Sequence, residues 1–309
     1  MFSFLLAIAL YLTKLPVTKP ALPLPLPAAF VSPAVAADQT IAAAPVKVEN
    51  SRLSVETTSR SALIVDWQTG VPLFEKNADA PQAIASITKL VTALTVMATN
   101  PDWDSVVDIT AADMRDGGIS YLMPGDRLPL KDVFNVMLVA SSNEAAAALA
   151  RSTGMSESEF ASKMNDQAAR LGMTNAHFVE PTGLDARDMA SARDVAFLLR
   201  TALDQERIRE ATGLPEFTFH SLTGRTRTVR STDDLLGSFL DKPPYSFLGG
   251  KTGFVNEAGY CFAAAAENQS GHRIIAVALG APSKDDRFQD VKAMIYWAFD
   301  VYRWTHVSP

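Results

Sequence analysis

The sequence predicts an α+β fold in which one antiparallel sheet is assembled from strands at both ends of the chain. Three observations lead there. Strand-like runs precede residue 84, helical periodicity occupies about 84–211, and strand signals return beyond Pro215 before a closing helix. The sheet is therefore expected to be flanked by helices and to carry an inserted all-helical subdomain, with a cleft where the two meet.

The chain opens with an apolar run, Phe2 to Leu12, followed by Lys14, Lys19 and a Pro- and Ala-rich stretch through Pro33. That run is short for a bilayer span, and Ala34-Val35-Ala36 has the small-residue pattern of a signal-peptidase site. Residues 1–36 read as a signal-like or anchoring leader, 37–58 as a linker, and 59–304 as the folded domain.

Within that domain, Arg60 to Phe74 gives a hairpin: Ala62 to Val65, the turn residues Gln68-Thr69-Gly70, then Val71 to Phe74. Leu90, Ala93, Leu94 and Met97 then recur at helical spacing, as do Val133, Phe134, Met137 and Ala140. Ser156 with Glu159, and Ser191 with Asp194, have capping-box spacing and mark two helix starts. Strand signals reappear in Phe217 to His220, Arg225 to Val229, Tyr260 to Ala266 and Arg273 to Leu279. After Ser283, the stripe Phe288, Val291, Ile295, Ala298 and Tyr302 predicts the last helix.

Composition narrows the function. The 309 residues are 48% hydrophobic and carry a net charge of −6 with no basic stripe, which argues against nucleic acid as a partner. The single cysteine, Cys261, lies in an apolar run and reads as a buried small hydrophobe. The four histidines are scattered, so no metal is expected, and there is no GxSxG elbow or phosphate-binding glycine loop.

Three short patterns remain. Ser86-Ile87-Thr88-Lys89 opens a helix, and the spacing of three brings the hydroxyl and the amine onto one face. A serine needs an adjacent base to act as a nucleophile, and lysine supplies one when its charge is suppressed. Ser141-Ser142-Asn143 separates two helical stretches and places a hydroxyl and an amide at a two-residue spacing; capping of the next helix is the plainer use of such residues. Lys251-Thr252-Gly253 follows a glycine pair and offers a cation and a hydroxyl to a carboxylate, or else a lysine guarding an exposed sheet edge.

Their order, SxxK, SxN and KTG, resembles the penicillin-binding protein and serine β-lactamase superfamily. The resemblance is closer to the low-molecular-mass D-alanyl-D-alanine carboxypeptidases and spans about Ser61 to Gly280. Pro124 to Arg127, His177-Phe178, Gly183-Leu184-Asp185, Ser191 to Asp194 and Ala258 to Cys261 add to it. The resemblance implies that 59–304 is a D,D-peptidase catalytic domain. Ser86 would be its nucleophile, Lys89 its base, and Ser141 a proton shuttle. Asn143, Lys251, Thr252 and Gly253 would bind substrate, and the backbone N–H groups of Ser86 and Phe254 would form the oxyanion hole. The expected substrate is a peptidoglycan stem peptide, with β-lactams as covalent inhibitors and no metal or organic cofactor.

A D,D-endopeptidase or a β-lactamase could use the same residues, and an idle wall-binding or β-lactam-sensing module would keep the fold without turnover. The family's larger members carry a further C-terminal domain and anchor helix. Here the last helix ends near Trp304, which leaves the N-terminal segment for any membrane tether of an exported, extracytoplasmic enzyme. Glu180-Pro181 loosely resembles the loop carrying a deacylating glutamate in class A β-lactamases, but its surroundings fit the carboxypeptidases better. Glu180 is expected to brace its loop.

Overall fold

The computed structural model describes residues 43–48 and 54–304. The sequence-predicted leader lies outside them, and so does half of the predicted linker. Five strands form the main sheet: β1 (Ser61–Asp66), β2 (Pro72–Lys76), β3 (Tyr245–Val255), β4 (Gly259–Asn268) and β5 (Arg273–Ala281). Their spatial order is β3-β4-β5-β1-β2, with every neighbouring pair antiparallel. The N-terminal hairpin thus joins the C-terminal strands, as the order of signals along the chain requires.

Alternation along the central strands divides their side chains between two cores. Leu63, Val65, Cys261, Ala263, Ala265, Ile275 and Val277 face the helical block. Ala62, Ile64, Phe262, Ala264, Ile274 and Ala276 face the closing helix α7 (Lys284–Val301). Burial on both faces explains why these strands read as continuous apolar runs. Ile64 is fully buried, so Ile64→Ala would cost about 2–5 kcal/mol. On α7, Ser283 accepts from the Asp286 amide as the N-cap, and Phe288, Val291, Ile295 and Ala298 are buried. Tyr302, expected on that helix, instead pairs with Val46–Lys47 in a short strand beyond its end.

The helical block comprises α1 (Lys89–Ala98), α2 (Leu130–Val139), α3 (Asn143–Ser152), α4 (Glu157–Arg170), α5 (Ala192–Asp204) and α6 (Glu206–Gly213). Both capping boxes form, at Ser156 with Glu159 and at Ser191 with Asp194. The block is not all-helical: Gln82–Ala83 pairs with Met189–Ala190, and Val106–Asp108 pairs with Arg127–Pro129. Such pairs satisfy backbone groups where long connections cross the packed helices. A second departure is the ribbon Glu216–His220 with Thr226–Arg230, which stands apart from the main sheet. Only Phe219 and Val229 are buried in it, so it covers α2 with one face and leaves the other to solvent.

Candidate active site

Ser86 does not open an α-helix as the spacing suggested. It sits in a 3-10 turn, Ala85–Thr88, and α1 begins at Lys89. Ala85 enters that turn with φ 49°, a left-handed conformation that costs a non-glycine residue roughly 1 kcal/mol or more. Glycines flank the turn. A Cβ on Gly183 would fall 2.1 Å from the Ala85 carbonyl oxygen, and one on Gly253 would fall 2.5 Å from the Ile84 oxygen and 3.2 Å from the Ser86 nitrogen. The nucleophile candidate is therefore clamped between the 180s loop and the edge strand β3. Missing side chains permit the close approach.

Lys89 is fully buried. Its Nζ donates to Ser86 Oγ at 2.8 Å, to Asn143 Oδ1 at 2.7 Å and to the Thr182 carbonyl at 2.6 Å. Burial brings the amine down to about 7, although the charges of Glu180, Glu144 and Asp188 favour its protonated form. Near neutrality the amine is thus poised between an ammonium with three acceptors and a free base whose lone pair faces the Ser86 hydroxyl.

Ser142, not Ser141, caps α3 by accepting from the Ala145 amide at 3.0 Å. Ser141 takes φ 58° immediately before it, which frees its hydroxyl for the cleft. That hydroxyl accepts from Lys251 Nζ at 2.8 Å. Asn143, in the first turn of α3, binds Lys89 through its oxygen and donates through Nδ2 to the Gly117 carbonyl at 3.0 Å. Lys251 is buried, and its amine is held well below the ordinary lysine value by burial and by the nearby charges of Lys89 and Arg287.

Lys251-Thr252-Gly253 forms part of β3, an eleven-residue strand, rather than a turn beside one. The glycine pair before Lys251 hid that strand from a reading based on side-chain pattern. A Cβ on Gly250 would lie 2.8 Å from the Ala263 carbonyl, so β4 and its surroundings approach too closely for a side chain.

The three motifs converge on one cleft of about 300 Å³, which Ser86, Ser141, Asn143, Thr252, Gly253 and Phe254 help to line. Arg287 and Thr232 are among the lining residues that sequence reasoning missed. Arg287 of α7 donates to the Gly253 carbonyl at 3.1 Å and brings a guanidinium to the cleft. Its sequence signal was a charge at the i−4 position from Val291 on the buried stripe of a helix. Thr232 meets Thr252 hydroxyl to hydroxyl at 2.6 Å; nothing local in the sequence distinguished it.

Behind the cleft, Glu180 accepts from the amides of Thr182 and Leu184, both at 2.7 Å, and from the Thr182 hydroxyl at 2.9 Å. Its carboxylate fastens the loop that presents the Thr182 carbonyl to Lys89. On the facing side, buried Glu144 accepts from the Tyr121 and Leu122 amides and holds the Gly118 to Tyr121 lip.

A buried lysine against a serine hydroxyl, with a second lysine–serine pair at the edge strand, is an arrangement suited to serine acyl transfer. Residues 46–283 match the D-alanyl-D-alanine carboxypeptidase family, peptidase S11, and the chain belongs to that family. D-alanyl-D-alanine carboxypeptidase DacF of Bacillus subtilis is 33% identical over 80% of this chain and 64% of its own length. A D-alanyl-D-alanine endopeptidase of Pseudomonas aeruginosa is 33% identical over 72% of this chain and 71% of its own. The chain thus spans a little under two thirds of the Bacillus relative. Among solved structures, the Streptomyces K15 DD-transpeptidase superposes with a TM-score of 0.74 at 26% identity, covering 80% of this chain and 99% of that one.

Proposed function

We propose that this protein is a serine D-alanyl-D-alanine carboxypeptidase that removes the terminal D-alanine from peptidoglycan stem pentapeptides and is acylated by β-lactams. The observation that carries this reading is the 2.8 Å contact of buried Lys89 with Ser86, which lines the cleft together with Ser141, the partner of buried Lys251. Family membership adds to it.

In the proposed reaction, neutral Lys89 takes the Ser86 hydroxyl proton as Oγ attacks the carbonyl carbon of the penultimate D-alanine. The N–H groups of Ser86 and Phe254 would receive the charge that appears on the carbonyl oxygen. Collapse of the tetrahedral state breaks the C–N bond. The departing amine takes a proton delivered through Ser141, which Lys251 orients, and a water molecule then hydrolyses the ester and regenerates Ser86. Asn143 would bind the peptide carbonyl. Lys251, Thr252 and Arg287 give the cleft a cationic end suited to the leaving group's carboxylate, with Gly253 allowing close passage.

A D,D-endopeptidase reading uses the same groups, because the leaving amino acid of a cross-link also carries a free carboxylate; the similarity to the Pseudomonas aeruginosa endopeptidase favours keeping it. We assign the enzyme to the extracytoplasmic wall compartment, with residues 1–36 as the export signal or tether. No helix among the described residues is long and apolar enough to cross a membrane.

The deciding experiment incubates the purified protein with a pentapeptide stem, a cross-linked dimer and a penicillin, and identifies products by mass. Release of D-alanine from the pentapeptide supports the carboxypeptidase. Cleavage of the dimer alone would replace it with the endopeptidase, and adducts without any peptide turnover would leave a β-lactam-binding module.

A further inference from the structure

Beneath the cationic end of the cleft lies an acid that the proposed reaction does not use. Asp233 follows Thr232, whose hydroxyl meets Thr252, and it is only 7% exposed. Its Oδ1 accepts from the Leu235 amide at 2.8 Å. Its Oδ2 is buried without a hydrogen-bond partner and lies 2.9 Å from where a Cβ on Gly250 would stand, directly against the chain leading into Lys251. On the α7 side, Arg287 Nε is also buried without a hydrogen-bond partner.

The charged groups facing Asp233 are Arg287 from α7, Lys251 from β3 and the neighbouring Asp234; Asp234 is itself paired with Lys284 at 2.7 Å. From β4, the Phe262 ring and the Ala263 carbonyl crowd the same Gly250 position as the Asp233 carboxyl. Asp233 thus sets an unpartnered carboxyl oxygen against β3, and Arg287, one of the residues that would hold a ligand carboxylate, carries an unpartnered guanidinium nitrogen.

We propose that Asp233 is a positioning residue of the carboxylate subsite, a buried acid whose ionisation sets how strongly Lys251 and Arg287 attract an anionic ligand. This rests on the reading of that end of the cleft as a carboxylate site. Burial pushes the Asp233 carboxyl up to about 7, against the opposing effects of the Leu235 amide and the Arg287 charge. Below that pH the acid is neutral and the cations act on the ligand unopposed. Above it, the carboxylate offsets them, and anion affinity falls. At cleft distances a charge partly shielded by protein and solvent changes affinity by about five- to tenfold.

The test is equilibrium binding between pH 5.5 and 8.5 in the Ser86→Ala background, which separates binding from acylation. The ligands are benzylpenicillin and its methyl ester. We expect benzylpenicillin binding to weaken about five- to tenfold through an inflection near pH 7, the ester to show no inflection, and Ser86→Ala/Asp233→Asn to bind with the low-pH affinity throughout. An inflection that persists in Asp233→Asn, or moves to lower pH, belongs to Lys89 or Lys251 and overturns the proposal. An equal inflection with the ester overturns it without reliance on the Asp233 variant. Absence of benzylpenicillin binding at every pH overturns it together with the subsite. The acyl-transfer reading fails separately, if the parent forms no covalent adduct at Ser86.

Discussion

Gly183 packs against Ala85 so closely that a Cβ on the glycine would fall 2.1 Å from the Ala85 carbonyl oxygen. The contact fixes the turn carrying Ser86 to the loop carrying the Thr182 carbonyl, and both ends of that link reach Lys89. Gly183 also takes φ 81°, so substitution adds backbone strain to overlap.

Gly183→Ala should therefore destabilise the protein by about 2 kcal/mol or more and displace Ser86 from Lys89. Displacement of a nucleophile by even about 1 Å is worth roughly a hundredfold in rate. Thermal unfolding and penicillin acylation, measured on the same preparation, check both parts. A variant with parent stability and parent acylation would mean that the turn and the loop are not coupled.

Ser86 should be the residue acylated by a labelled penicillin, since its hydroxyl contacts Lys89 and its turn is held at the cleft by Gly183 and Gly253. Ser86→Ala should form no adduct, and peptide mapping of the parent should place the label within residues 85–89. A label on Ser141, the other cleft serine bonded to a lysine, would exchange the roles of the two pairs.

Lys89 is brought down to about 7 by burial, and its neutral form is the one able to accept the Ser86 proton. The acylation rate at saturating penicillin should thus rise about tenfold per pH unit on the acid side and level off above about pH 7. Lys89→Ala should lower that rate by about a hundred- to ten-thousandfold and change initial ligand binding far less. Stopped-flow acylation across pH measures both, and a parent rate that falls as pH rises through 7 would exclude Lys89 as the base.

The sequence disclosed this site unevenly, and the reasons are physical. Ser86 and Lys89 are near neighbours, and Asn143 and Lys251 belong to short patterns of their own, so local spacing found them. Arg287 and Thr232 enter the cleft through long-range packing of α7 and of the segment before β3. Among these, only the charge on a buried helical stripe left any trace. The sheet order followed from where strand signals occur along the chain. The length of β3 did not, because Gly249 and Gly250 serve close backbone approach and carry no side-chain periodicity. The 3-10 geometry at Ser86 was hidden for a related reason: contacts with Gly183 and Gly253, far off in sequence, set that turn.

Glu180 tests the remaining division of labour, between bracing a loop and activating water. Its two carboxylate oxygens accept from the Thr182 and Leu184 amides and the Thr182 hydroxyl, which engages both oxygens within its own loop. A glutamate that deacylates must instead hold the attacking water in hydrogen-bond reach of the ester. Glu180→Gln should leave the lifetime of the penicilloyl adduct, expected to be many minutes, nearly unchanged. Replacing one accepting oxygen by a donor should cost about 1–3 kcal/mol of stability, because buried loop amides lose their partner. There is a further consequence at Lys89, where the Glu180 charge raises the amine's pKa: its removal lowers that pKa and shifts the acid limb of acylation to lower pH. Adduct decay, thermal unfolding and the pH profile give three independent readouts on one variant. A parent adduct that decays within seconds and persists in Glu180→Gln would instead make Glu180 the residue that activates the deacylating water, and the protein a β-lactamase.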